Sequence, residues 1–210
     1  MGNAALGAIG FILGTIISLY AAVPALRFVL QWARADYHNQ FAQAIVSLTN
    51  PILVPLRRVI PSFRRYDTAS LVMVYGVLMI KFLIFKLLPL GGVSGFGHVV
   101  NPAVWNMGQL FALTFVDTIY LLFNVFIFSL IIHAILSWIP NSQGNPIQGV
   151  LSAITDPVLR PLRGVIPPIG GFDLSVMVAI IGLFALRMFV VESLLSVPVS
   201  YTHLTLPTKA

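Results

Sequence analysis

Four stretches of this chain are too long and too apolar to be the core of a water-soluble domain. They run from Ala5 to Leu26, Ala69 to Leu90, Thr118 to Ile139 and Leu174 to Val197. Each matches the ~20 apolar residues that carry a helix across the hydrocarbon of a bilayer. The first carries no charge, the second is apolar apart from Lys81 and Lys86, the third carries only His133, and the fourth Arg187 and Glu192. Charged residues make up 9% of the chain, against about 25% in soluble domains, so lipid must supply much of the burial. The expected fold is an all-α membrane protein with four transmembrane helices. The first stretch has no basic segment before it and no decisive small-residue cleavage site after it, so it is expected to stay as an anchor.

The sequence also repeats itself. A shift of 106 residues lays Thr49-Asn50-Pro51-Ile52-Leu53-Val54-Pro55-Leu56-Arg57-Arg58-Val59-Ile60-Pro61 on Thr155-Asp156-Pro157-Val158-Leu159-Arg160-Pro161-Leu162-Arg163-Gly164-Val165-Ile166-Pro167 without a gap. The same shift pairs Trp32 with Trp138, Asn39 with Asn145, Asp67 with Asp173, Lys81 with Arg187 and Lys86 with Glu192. Each unit reads helix, connection, helix. Two spans return the chain to its starting side, so these are parallel repeats related by an axis along the membrane normal. The repeats are bounded as residues 1–95 and 110–198. Residues 199–210 resemble translated read-through of a sequencing adaptor and are set aside from the fold, with His203 and Lys209.

Charge orients the chain. The formal net charge is +6, and Arg27, Arg34, Arg57, Arg58, Arg64, Arg65, Arg160 and Arg163 all fall in or beside the two connections. Positive-inside bias puts those connections in the cytoplasm and both termini outside, in the periplasm. The Gly-rich link from Gly91 to Gln109 then faces outward, with Trp105 as an interfacial anchor and Gly95-Phe96-Gly97-His98 as a turn. No basic run exceeds two residues and no aromatics interleave with one, so direct nucleic-acid contact is not expected.

In each connection an apolar stripe recurs. Phe41, Ala44, Ile45 and Leu48 stand at helical spacing and map onto Ile147, Val150, Leu151 and Ile154, which predicts an amphipathic helix in both repeats. It either rests in the cytoplasmic interface or packs on the bundle. Asn39 and Asn145 suit its N-cap, and Pro146 its first position. Asn50-Pro51 and Asp156-Pro157 are expected to end that helix and begin a short Pro/Arg-rich one, stopped at Pro61 or Pro167. Arg57, Arg58, Arg160 and Arg163 on this element are candidates for binding a partner or a lipid phosphate, because a guanidinium fork matches phosphate and carboxylate. Asp67 and Asp173 directly precede spans and suit N-capping, with a nearby Arg as a second use.

Ionisable groups inside spans are costly and count as functional candidates. Lys86 and Glu192, repeat mates of opposite charge, are expected to form an intramembrane ion pair across the pseudo-two-fold axis; the alternative is that Lys86 snorkels outward. Lys81 and Arg187 are a candidate intramembrane polar site. They either face a cavity or snorkel, and the spans offer little else polar beyond Thr15, Ser18, Asn124 and Ser129. His133, the repeat mate of Arg27, and His98 could ligate haem iron, but no second histidine shares a helix with His133 at suitable spacing. The chain has no Cys, no nucleophile, base and orienter set, and no metal-ligand spacing. No cofactor is expected and enzymatic activity is not.

Two copies of a pattern close to Asn/Asp-Pro-x-Leu-x-Pro-Leu-Arg-x-Val-Ile-Pro, each followed by Asp67 or Asp173 and an apolar helix and preceded by Trp32 or Trp138, resemble the YggT (YlmG) family of integral membrane proteins. Gln31-Trp32-Ala33 and Ile80-Lys81-Phe82 resemble its proteobacterial branch, and the likeness spans about Phe11 to Leu195. The resemblance implies a multi-pass bacterial inner-membrane protein. It also implies a link to osmotic or envelope stress or to cell division, and for plastid relatives to assembly of a b-type cytochrome. A non-enzymatic assembly or scaffold factor fits best, with other envelope or division proteins as partners and a homodimer allowed. The alternative is a small ion or solute channel or carrier serving osmotic balance. The second copy has Gly164 where the first has Arg58, so a site using both arginines would be asymmetric.

Overall fold

A computed structural model describes residues 2–35, 39–60, 67–88, 90–137, 146–166 and 173–200. Asn145, Trp138, Arg64, Arg65, Pro61, Pro167 and residues 201–210 lie outside the described residues, and with them the expectations placed on their structure. Helix forms over most of each of the four apolar stretches: α1 Gly2–Trp32, α3 Thr68–Leu87, α4 Met107–Ser137 and α6 Leu174–Ser200, with α2 Gln40–Val59 and α5 Pro146–Arg163 between them. Four of these, α1, α3, α4 and α6, are long and apolar enough to cross a membrane. Between α3 and α4 lie two short strands, β1 Val93–Gly95 and β2 His98–Val100, and a 3-10 turn at Pro102–Val104.

The third span starts well before Thr118, where the apolar run alone had placed its beginning. A reciprocal cap fixes the start: Asn106 Oδ1 accepts from the Gln109 amide at 2.8 Å, and Gln109 Oε1 accepts from the Asn106 amide at 3.0 Å. Two orphan donors of the first turn are satisfied in this way. Asp117 therefore lies inside α4, ten residues beyond Met107.

Among the described residues each connection holds one helix where the sequence suggested two. Pro51 and Pro55 sit inside α2, and Pro157 and Pro161 inside α5. An interior proline costs about 3 kcal/mol, yet Ile45, Thr49 and Leu53 bury one continuous stripe on both sides of Pro51, and that shared packing favours a single helix. Their repeat mates Leu151, Thr155 and Leu159 are buried as well. The prolines are themselves exposed or nearly so in α2, four residues apart on the outer side. Asn39 caps α2 as its spacing predicts, accepting from the Ala42 amide at 2.7 Å. The predicted stripe is rotated in α2, where Leu48 is exposed, whereas its mate Ile154 is fully buried. At the end of α1, Arg34 adopts φ 53°. Ala35 N donates to Leu30 O and Arg34 N to Gln31 O, the Schellman pattern, here with an arginine in the left-handed position usually held by glycine.

The chain divides into two compact units, each drawing on both halves of the sequence: residues 1–21, 75–121 and 187–210, and residues 22–74 and 122–186. In the first, Met79, Phe82, Phe85, Leu90, Val93 and Leu110 form one core cluster, and Phe96, Leu113, Val116 and Val191 form another. In the second, Leu130, Leu159, Val176 and Ala179 bring α4, α5 and α6 together. There α2 and α5 also approach one another, as parallel repeats with both connections on one side require.

Candidate functional site

The first unit is organised around a hairpin. β1 and β2 pair antiparallel with Gly95 opposite His98, leaving Phe96 and Gly97 as a two-residue turn with φ of 36° and 92°. Positive φ at both positions is the type I′ signature that matches strand twist. The sequence had suggested a turn here but not the strands beside it. The tip lies alongside the spans. Lys81, which contacts it, is six residues before the end of α3, and Asp117 is well inside α4. Irregular backbone at that depth must find partners within the protein.

Lys81 and Asp117 provide them. Lys81 Nζ donates to Asp117 Oδ2 at 2.7 Å, to the Ser94 carbonyl at 3.1 Å and to Ser18 Oγ at 3.4 Å. Asp117 Oδ1 accepts from the Phe96 amide at 2.6 Å. Lys81 Nζ also sits 4.4 Å from the centre of the Phe82 ring. Both ions are buried, at 1% and 4% exposure, so each is neutralised by the other and their remaining hydrogen bonds go to the hairpin backbone and to Ser18. Asp117 was missed because the apolar window started one residue after it. The signal was Lys81 itself, since a cation inside a span calls for an anion.

The repeat mates of Lys81 and Lys86 meet other neighbours. Arg187, the repeat mate of Lys81, is half-buried with its guanidinium carbon 4.9 Å from the Tyr120 ring centre. Lys86 donates to the Trp105 carbonyl and does not pair with Glu192 among the described ion pairs. Glu192 instead lines a cleft of about 230 Å³ with Phe96, Gly97, His98, Tyr120, Arg187, Met188 and Val191. The physical reason is the hairpin. Among the described residues it occurs once, between the repeats, so symmetry-related helix ends meet different neighbours.

The second unit repeats one device twice. Arg57 forms a hydrogen-bonded ion pair with Asp67, and Arg163 donates through Nε and Nη2 to Asp173 Oδ2, each at 2.8 Å. Both pairs span ten residues and tie the end of a connection helix to the start of the next span. Asp67 also accepts from Ser70 Oγ at 2.6 Å and from the Ser70 amide at 3.4 Å. Asp173 accepts from the Ser175 amide at 3.1 Å. Both carboxylates thus serve the helix start and the arginine together. Burial works to raise each carboxyl, but the hydrogen bonds and charge of Arg57 and Ser70, or of Arg163 and Ser175, outweigh it and hold Asp67 and Asp173 below the usual carboxylate range. The pairs differ in cover: the side chain of Asp67 is 1% exposed and that of Asp173 29%. Arg160 reaches Asp156 at 3.1 Å from an exposed position, and Arg58 is exposed. A cleft of about 250 Å³ lined by Gln31, Arg57, Ile60 and Asp67 borders the first pair.

Arg27 carries more structure than a topological charge. It is buried, and its guanidinium donates to Thr49 Oγ1, to Asn50 Oδ1 at 2.9 Å and to the Val46 carbonyl at 3.2 Å, bracing α2 at the turn before Pro51. Its mate His133 lies within Coulombic range of Arg163, Asp156 and Asp173. His98 is exposed beside the cleft. Among the described residues no three His, Cys, Asp or Glu side chains gather to hold a metal.

The CCB3/YggT family model matches the chain twice, over residues 6–88 and 112–194. The chain belongs to the CCB3/YggT family. The two family matches stand 106 residues apart at both ends, the same shift that superposes the two Arg–Asp pairs. Its similarity to the bacterial relatives YggT and PA0392 spans nearly their full length. It is 39% identical over 186 residues to YggT of Escherichia coli strain K12, covering 88% of this chain and 89% of that protein. It is 37% identical over 184 residues to PA0392 of Pseudomonas aeruginosa, covering 88% of each. YlmG homolog protein 2, chloroplastic, of Arabidopsis thaliana is 39% identical over 62 residues, 30% of this chain and 24% of that protein. No solved structure matches. The chain is thus an integral, multi-pass membrane protein of the CCB3/YggT family with two repeats.

Proposed function

We propose that the chain is a non-enzymatic assembly or scaffold factor of the bacterial inner membrane, using α2 and α5 as a fixed cytoplasmic platform for other envelope or division proteins. One observation carries the reading: the Arg57–Asp67 and Arg163–Asp173 pairs fasten both connection helices to the following spans in the same way. A helix held at its end by an ion pair and braced in its middle by Arg27 presents its outer side in a defined orientation. That side offers Leu48, Ile52, Val54 and Val59 with Arg58 on α2, and Ile147, Val165 and Arg160 with them on or beside α5. Apolar residues next to arginines suit both an anionic membrane surface and a partner helix. The arginine bias supports cytoplasmic connections and periplasmic termini. The stress and division links rest on the family resemblance.

Crosslinking in cells from Leu48 and Ile52, followed by identification of the captured proteins, tests the platform. Specific partners lost on combining Arg57→Ala with Arg163→Ala support it. Ion or solute flux from the purified protein in liposomes overturns it as the sole account. The channel or carrier alternative draws support from the hairpin, since re-entrant backbone at the depth of spans commonly lines polar paths.

A further inference from the structure

The two Arg–Asp pairs are alike in what they join and different in what they leave open. Arg163 meets two carboxylates: it is hydrogen-bonded to Asp173, and its Nη1 stands 3.9 Å from Asp156 Oδ1. The residue in the place of Asp156 in the first repeat is Asn50, whose side-chain oxygen already accepts from Arg27 at 2.9 Å. Of the five N–H groups of a guanidinium, Arg57 turns those of Nε and Nη2 toward Asp67. Its Nη1 makes no hydrogen bond among the described residues, and 42% of its side chain is exposed. The space beside it is the cleft of about 250 Å³, lined also by Gln31 near the end of α1 and Ile60 just after α2. The Gln31 carboxamide is likewise without a hydrogen bond among the described residues, so it adds two N–H donors to the same lining.

Charge favours an anion there. Residues 22–74 carry six arginines against Asp36 and Asp67, whereas residues 122–186 carry Arg160 and Arg163 against Asp156 and Asp173. The first connection has a surplus of cations and the second has none. A guanidinium with donors to spare matches the oxygens of a phosphate. Depth agrees: Trp32, next to Gln31, is exposed and meets Phe126 edge-on, and tryptophan at a span end belongs to the headgroup level.

We propose that this cleft binds a phosphate group, held by Arg57 Nη1 and the Gln31 carboxamide. Asp67 is a positioning residue, fixing the guanidinium from its Nε and Nη2 side so that Nη1 stays turned to the cleft. The second repeat lacks the site because Asp156 stands where the phosphate would bind. The same chemistry is available from a lipid headgroup and from free phosphate, and it does not depend on α2 and α5 serving as a platform.

The test uses the purified full chain in detergent micelles. Native mass spectrometry counts retained phosphatidic acid, phosphatidylglycerol and diacylglycerol of one acyl composition, and isothermal titration follows inorganic phosphate. The two phospholipids are expected to be retained about tenfold more tightly than diacylglycerol, the factor that one charge-assisted hydrogen bond supplies. Arg57→Lys keeps a cation beside Asp67 but removes the spare nitrogen, and is expected to abolish the preference. Gln31→Ala leaves the ion pair intact and is expected to weaken it, so it decides the matter if Arg57→Lys does not fold. Arg163→Lys is expected to leave the preference unchanged. Phospholipid retention without heat from inorganic phosphate assigns the source to the membrane, and saturable heat assigns a soluble ligand. Equal retention of the three lipids by the unaltered protein, with no heat from phosphate, overturns the proposal. So does a preference that survives Arg57→Lys, or one that Arg163→Lys lowers as much. Partner capture from Leu48 and Ile52 is a separate measurement, so the platform and the phosphate site can fail independently.

Discussion

Lys81 Nζ and Asp117 Oδ2 stand 2.7 Å apart with both side chains almost wholly buried, and between them they hold the hairpin by the Ser94 carbonyl and the Phe96 amide. Removing one partner of a buried pair leaves an uncompensated charge and costs about 3–5 kcal/mol, whereas replacing both with apolar residues is often neutral. Lys81→Met and Asp117→Leu are each expected to lower the melting temperature of the detergent-solubilised protein sharply. The double variant should recover much of the loss while leaving the hairpin amides faster to exchange. A double variant as unstable as the two single changes combined would show that the ions do not act on each other.

The two Arg–Asp pairs share geometry but differ in exposure, which separates their energetics. Asp67 is enclosed, and losing its charge-assisted hydrogen bonds should cost about 1.5–3 kcal/mol. Asp173 is partly open, where an ion pair is worth about 0.2–1 kcal/mol. Asp67→Asn should therefore destabilise more than Asp173→Asn. Both carboxyls are held below their ordinary value of 3.8. A depressed folded value means the stabilisation is complete above that ordinary value and fades as pH falls through the folded one. Thermal melts from pH 7 downward should show an acid loss below about pH 4 that shrinks in Asp67→Asn. An unchanged acid limb would remove Asp67 from the linkage.

The parts of the fold visible in the sequence are those set by lipid and by the repeat. Hydrocarbon demands about 20 apolar residues whatever the neighbours, so all four spans stand out. The matched Arg57 and Arg163, Asp67 and Asp173 stand out because a fixed shift exposes them. Three things were hidden. Asp117 sits just outside an apolar window but within a helix whose start is set by Asn106 and Gln109. Pro51 and Pro157 look like helix ends because local preference cannot weigh the buried stripe that runs through them. Lys86 and Glu192 looked like partners because the repeat is symmetric, whereas the hairpin inserted between its copies is not. Of the candidate site, Lys81 and Arg187 were recognised as special, but the cleft depends on Tyr120 and a hairpin tip that only folding brings beside them.

Arg27 supplies a third prediction. Its guanidinium Nη1 meets Thr49, Asn50 and the Val46 carbonyl together, held there by a rigid planar group whose reach a shorter, flexible lysine stem does not reproduce. Both Arg27→Lys and Arg27→Ala should accelerate hydrogen exchange in α2 around residues 46–50, with alanine the more severe. Exchange in α5 should change little, because the mate of Arg27 there is His133. Equal acceleration in both helices would mean that Arg27 acts through global stability and not on the turn before Pro51.

The proposed orientation can be checked without purification. If both connections are cytoplasmic, the hairpin and the turn before α4 lie on the other side, and alkaline phosphatase, active only after export, distinguishes the two. A fusion after Trp105 should be active and one after Arg65 inactive, with a cytoplasmic reporter giving the reverse. The arginines behind the proposed orientation lie near span ends, where such a bias acts most strongly. Replacing Arg57, Arg58, Arg64 and Arg65 together with glutamine should therefore weaken the contrast between the two fusions. Activity after Arg65 in the unaltered chain would invert the topology and place the Arg57–Asp67 and Arg163–Asp173 pairs on the periplasmic side, out of reach of any cytoplasmic partner.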